Sequence, residues 1–352
     1  MRALPLMLRP GLLILFTTAL IQAQTCACTI PVFRYALDRW ETDRFQLIVP
    51  ASPSPGDAVT DLLRPLRANG RANLDITTAR EPGVTQATLL DSKTRQQKIW
   101  SGTLDKSSLD SLLDSPGRQK ILRHILAGDS IIWVIVGDGS PGAKADADRV
   151  EKRLKFLENV ASLPIQDPND PDSQLGPGPA LRLKFTTLRI DAKDPAEQIL
   201  ISMLAGPEGR ITRGQAFAAP VFGRGRVLGS WPLSQLDDAA LEESSMFLVG
   251  RCSCRVKNEN PGWDLLLNVD WEKALKEAGE NKGATPAAVT APAKLSVPET
   301  VVSSPSPPAA SARPASSPEG IPQSTILLTS SAVLLCAVGL LLFRSRGTPN
   351  KD

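Results

Sequence analysis

One histidine and one tyrosine are all that this 352-residue chain contains of either type. A histidine-rich metal centre within one chain is thereby excluded, and any triad that needs an imidazole has to use His124. Charge of one sign is lacking too. Forty basic residues stand against 37 acidic ones, a net of +3, which gives no electrostatic reason to expect nucleic acid as a partner. A C-x-x-C pair is absent as well. His124 itself lies in RQKILRHILAG, beside a stripe of Ile121, Leu122, Ile125 and Leu126 and close to Gly128. A cation near a helix C-terminus favours the helix dipole, so the residue reads as structural.

Where apolar runs do occur, they lie at the ends. Arg2 and Arg9 precede Leu12–Leu20 (LLILFTTAL), with Gly11 and Ile21 extending the run and Ala23 offering a cleavage point before Gln24. Residues 1–23 are therefore expected to be a secretory signal peptide. Lipid attachment at Cys26 is the rival reading, but Ala23-Gln24-Thr25 lacks the aliphatic and small residues usual before such a cysteine. Ile326–Phe343 is an uncharged run of 18 residues, followed by Arg344, Arg346 and Lys351. About 20 apolar residues cross a bilayer, and basic flanks stay on the cytoplasmic side. These patterns predict a single-pass transmembrane helix over 324–343, a cytoplasmic tail over 344–352 and an extracytoplasmic folded part, with the membrane as a partner through the C-terminal helix. A sorting signal that is cut off after export is the other reading of the same tail. Between the folded part and this span, residues 282–323 collapse into Ala, Pro, Ser, Thr and Val, a composition that cannot bury a core and predicts a disordered stalk.

Between these ends, strand and helix patterns alternate, which argues for an α/β class. Helices are expected over Ile30–Trp40, Ala58–Ala68, Ser107–Ala127 (broken at Ser115-Pro116), from Val150 to Val160, and over Ala196–Leu204 and Leu236–Val249. Strands are expected at Phe45–Val49, Leu74–Thr78, Thr88–Leu90, Lys98–Trp100, Ile131–Val136 and Leu181–Ile190, with a hairpin over Pro220–Trp231. IIWVIV is apolar throughout, as in a strand covered on both faces.

The strands IIWVIV and LRLKFTTLRI, and above all APVFGRGR at Ala219–Arg226, make the second half, 129–281, resemble a thioredoxin-like domain. In that family a proline precedes a strand of a hairpin whose turn carries glycine. The helix Asp194–Leu204 (DPAEQILISML), where the C-x-x-C would be expected, contains no cysteine. The resemblance therefore implies the fold without redox chemistry through that helix. An N-terminal α/β domain over 24–128 follows a similar plan, so the expected fold is α/β and thioredoxin-like, two degenerate copies in tandem. The phrases CTIPVFRYALDRW and FLVGRCSCRVKNENPG also resemble those of an uncharacterised family of exported bacterial proteins. That second resemblance implies that the two segments form one unit, and implies no reaction.

Four of the five cysteines form two C-x-C pairs, Cys26/Cys28 and Cys252/Cys254, and Cys336 lies in the apolar run. Three readings are open for the pairs: structural disulfides, a four-thiolate metal site, and thiol–disulfide chemistry with Arg251 and Arg255 favouring thiolate. Gly137–Gly142 (GDGSPG) matches G-x-G-x-x-G, but the next strand ends near Asp191, too late for a dinucleotide fingerprint, so it reads as a loop. Asp167, Asp170 and Asp172 lack the glycine and glutamate of a calcium loop. These features predict no cofactor, no metal ligand set and no catalytic residue. The function expected is a non-enzymatic, membrane-anchored binding or scaffold module with an unidentified extracytoplasmic protein partner. The alternative is a thiol-disulfide or metal-handling protein that uses the cysteine pairs.

Overall fold

Two β-sheets organise the chain. The computed structural model describes residues 29–51, 58–69, 71–80, 83–167, 169–252 and 256–280, all within one compact unit. The expected signal segment, stalk, span and tail lie outside the described residues. Among the described residues no helix is long and apolar enough to cross a membrane.

Helix α1 (Val32–Arg39) comes first, then β1 (Phe45–Val49), α2 (Ala58–Asn69), β2 (Leu74–Thr78), β3 (Ala87–Leu90) and β4 (Lys98–Gly102). The strands form a sheet of order β2-β1-β3-β4, with β1 parallel to β2 and both other pairings antiparallel. Helices α3 (Lys106–Leu113) and α4 (Pro116–Leu126) then lead to β5 (Ile131–Gly137), α5 (Pro141–Val160), β6 (Phe185–Asp191) and α6 (Gln198–Ala205). Next come β7 (Phe217–Phe222), β8 (Arg226–Val227), β9 (Trp231–Pro232), α7 (Asp238–Val249), β10 (Trp263–Asp264) and α8 (Trp271–Glu280). The second sheet has the order β10-β8-β7-β5-β6, with β9 beside β7. Within it β5 and β6 are parallel, while β7 runs antiparallel to β5 and β8 antiparallel to β7. The series β6-β5-β7-β8 thus repeats the order and directions of β2-β1-β3-β4.

Capping residues set the helix starts. Ser115 accepts from the Arg118 amide and Pro116 takes the first turn of α4, which is the break expected at that dipeptide. Ser140 does the same for α5 with Pro141 behind it, so α5 begins well before the Val150 stripe. Its early core-facing positions are Ala143 and Ala147, which hardly register as an apolar periodicity. Pro220 corrects one expectation. It lies inside β7, opposite Trp133, rather than ahead of a strand. Leu228 N donates to Pro220 O, so the missing proline N–H faces β8, where the ladder is only two pairs long. The hairpin turn does carry glycine: Gly223 and Gly225 adopt φ +56° and +88°.

Strand β5 is buried on both faces. Ile132, Val134 and Val136 join Leu47, Leu89, Ile121, Leu200 and Phe217 in one apolar cluster. Ile131, Trp133 and Ile135 face a second cluster, with Val150, Leu154, Leu241 and Leu248 of α5 and α7. Helix α6, apolar on nearly every face, touches both β4 and β7. Gly206 ends it at φ +74°, where a Cβ would lie 2.1 Å from the Trp263 ring. Asn73 closes the seam between the sheets. Its amide donates to Asp43 O (2.8 Å) and Leu265 O (3.0 Å), and its carbonyl accepts from Leu267 N (3.0 Å).

Asn73→Ala would strand two carbonyls and one amide at a buried place. Urea unfolding should report a loss of about 2–4 kcal/mol, against a change within about 0.5 kcal/mol for the solvent-facing Gln46→Ala.

Candidate functional site

Of the four paired cysteines only Cys252 lies among the described residues; Cys26, Cys28 and Cys254 are outside them, as is Cys336. Cys252 is buried in the cluster that holds Val32, Phe33, Leu248 and Val249. Its amide donates to Ile30 O (3.0 Å), Val32 N donates to Gly250 O (3.0 Å), and Pro31 bridges Arg251 in antiparallel fashion. The described chain begins at Thr29, whose carbonyl accepts from Gln166 Nε2 (2.9 Å) and whose amide donates to Ser173 Oγ (3.1 Å). The stretch after Cys28 and the stretch before Cys254 therefore lie side by side.

The same two parts of the chain are joined by charge. The Asp264 carboxylate is almost fully buried. It accepts from the Asp43 amide (2.6 Å), from Lys257 Nζ (2.5 Å) and from Arg226 Nη1 (3.3 Å). Lys257 Nζ also reaches Asp43 (2.8 Å) and donates to Glu41 O (2.6 Å). The Arg226 guanidinium lies 5.6 Å from the Trp40 ring centroid. Every charged group here has its partner, so the cluster is a clasp. A second buried pair, Arg34 and Asp38 on α1, holds the loop at Gly176 through Arg34 Nη2 to Gly176 O (2.8 Å) and Gly176 N to Asp38 (2.8 Å). Glu197, also buried, accepts from Ser115 Oγ (2.7 Å) and Gly117 N (2.6 Å), and so compensates the N-terminus of α4. Burial lowers the pKa of neighbouring Arg118 to about 10, partly offset by Asp114 and Glu197. Of these pairs only Arg34 with Asp38 is marked in the sequence, by its i,i+4 spacing; the partners of the others lie further apart along the chain.

The motifs singled out earlier are placed as follows. In GDGSPG, Gly137 ends β5, Ser140 caps α5, and Pro141 and Gly142 are already helical, leaving only Asp138–Ser140 as loop. The free amide of Ala143 is taken by Ser140 Oγ (3.1 Å), and β6 does end at Asp191. In the aspartate-rich loop, Asp167 accepts from Asn169 N (2.9 Å) and Asp170 from Ser173 Oγ (2.5 Å). Among the described residues no three His, Cys, Asp or Glu side chains converge as a metal site would require. His124 is at the end of α4, with Nδ1 2.8 Å from Asp129. Asp129 also accepts from Thr186 Oγ1 (2.6 Å) and pairs with Arg182.

One face of the first sheet carries only short polar contacts, Gln46 Nε2 to Thr77 Oγ1 (3.2 Å) and Thr88 Oγ1 with Ser101 Oγ (3.3 Å). Phe45, Leu47 and Val49 of β1 point into the core, whereas Gln46 and Ile48 alternate onto a face that carries no helix among the described residues. A groove of about 490 Å³ runs over that face past Gln46, Ile48, Thr77, Arg80 and Thr88. Compared with protein-family profiles, with curated proteins and with solved structures, the chain matches none.

Burial lowers the His124 pKa, with further lowering by Arg123 and Arg182, so the folded protein holds the ring neutral below the usual 6.5. The unfolded chain then binds the proton first, and stability falls as pH drops below about 6.5 towards the folded pKa. NMR titration of this single histidine should give a midpoint below 6.5, and His124→Gln should flatten the pH dependence of unfolding in that window.

Proposed function

We propose that the chain is a membrane-anchored extracytoplasmic binding or scaffold module, non-enzymatic, with the open face of its first sheet as the contact surface. One observation carries this reading. Every buried charge cluster described above is internally compensated, whereas the face bearing Gln46, Ile48, Thr77 and Thr88 is grooved and has no cover among the described residues. The repeated strand order supports two degenerate thioredoxin-like copies in tandem, built on one plan and here without its redox pair. No described helix contains a cysteine, including α5 after the first strand of the second sheet and α6 before its hairpin. A photo-crosslinking residue at Gln46, in cells, should capture a protein partner, and one at Lys155 on α5 should not. Equal adducts at both positions, or none, would remove the reading.

The pairing of Cys252 with Ile30 sets residues 30–32, just after Cys28 in sequence, against residues 250–252, just before Cys254, and motivates a test of the cysteine pairs. Mass spectrometry of the non-reduced protein should find stable bridges between the N-terminal and C-terminal pairs. In the chain-entropy model a bridge closing so long a loop is worth about 5 kcal/mol. Labile bridges, free thiols or a metal adduct would instead make the cysteines the functional centre.

A further inference from the structure

The first sheet ends in a strand whose outer edge is unpaired. Phe45 N donates to Asn73 O and Ala79 N to Val49 O, so odd-numbered residues of this stretch direct their amides and carbonyls towards β1. By the strand alternation, Leu74, Ile76 and Thr78 direct theirs away from it. Leu74 O is taken by Arg44 Nη2 (2.7 Å), and Leu74 N by Ala72 O (2.8 Å). Ile76 and Thr78 keep an outward donor and acceptor each, with no strand beside them among the described residues. Edges are normally blunted by lysine, proline or a bulge. Strand β4, at the opposite edge, carries Lys98, has a register shift against β3 and is touched by α6. Leu-Asp-Ile-Thr-Thr of β2 has none of these devices.

The surroundings of this edge are basic. Arg44 (2.6 Å) and Arg95 (2.9 Å) share the one carboxylate of Asp75, leaving the trio net positive. Arg71 precedes the strand, and Arg80 follows it and lines the groove; both are exposed. We propose that β2 accepts an extended, acidic segment of a partner protein as an added strand, with alternate side chains of that segment lying over the groove at Ile48, Thr77 and Arg80. The proposal rests on the binding-module reading and names the partner chemistry of its surface. Backbone hydrogen bonds to Ile76 and Thr78 give the affinity, and the arginines select the sign of charge.

The probe is a synthetic peptide of alternating threonine and valine flanked by glutamates, with a lysine-flanked twin, titrated against the full-length protein in detergent by fluorescence anisotropy. The glutamate peptide should bind about tenfold more tightly at low salt, the difference shrinking as salt rises. Thr78→Pro deletes an amide that faces away from β1 and should abolish binding. Thr187→Pro, which deletes an outward amide on the β6 edge, should leave it intact. N-methylation of alternate peptide amides should abolish binding without altering the protein, so the outcome does not hang on the folding of a proline variant. Equal affinity for both peptides, no binding, or equal loss in both proline variants overturns the proposal. Self-association that Thr78→Pro removes would also overturn it, by assigning the edge to a second copy. A crosslink at Gln46 that survives Thr78→Pro would sink the edge alone, while absence of any Gln46 adduct would sink the module itself.

Discussion

The buried carboxylate of Asp264 is the group on which the rest of this structure depends. A carboxylate out of water is costly until it is paired and hydrogen-bonded. Here the compensation comes from three separate parts of the chain: the Asp43 amide, Arg226 on β8, and Lys257. Meeting that requirement brings the first described stretch of the protein against β10 of the second sheet. Asn73 and Ser92 then tie the first sheet to Asp264–Leu267 in the same place. The two sheets are therefore joined by polar bonds at their ends and by one apolar cluster between them.

The pairing also joins the described residues of two distant sequence phrases, CTIPVFRYALDRW and FLVGRCSCRVKNENPG. Pro31 and Arg251 form a bridge, Cys252 is bonded to Ile30, and Lys257 reaches Glu41. Within these phrases Arg34, Asp38 and Lys257 hold the chain together through ion pairs. The proposed contact surface lies elsewhere, on the hydroxyl-bearing face of the first sheet and its adjoining strand edge.

Much of the local structure was legible. Phe45–Val49 and Leu74–Thr78 have the bounds that their apolar patterns indicate, and Ser115-Pro116 breaks the helix by capping chemistry. The failures have physical causes. Helix α5 starts nine residues before Val150, at Pro141, because its first inward residues are alanines. Helix α8 went unread because Leu275 is its one fully buried side chain, too little for a periodic stripe. Pro220 was misplaced because a proline is harmless in a strand wherever its missing amide faces a short ladder. The carboxylate clasp and the exposed strand edge were invisible, since both depend on which distant segments fold together. The α/β class could be read from alternation; the strand order could not.

Helix α8 has a further consequence. It is the last described element before the Ala/Pro/Ser-rich stretch, and it is seated by Leu275 against Gly178, with Gly279 so close that a Cβ would lie 3.1 Å from Gly178 N. Tension applied along the chain from its C-terminal side would reach this helix first. A seat of Leu275, a partly buried Trp271 and a glycine contact is small beside a sheet ladder, so α8 would act as a mechanical fuse, peeling away while both sheets and the Asp264 clasp hold.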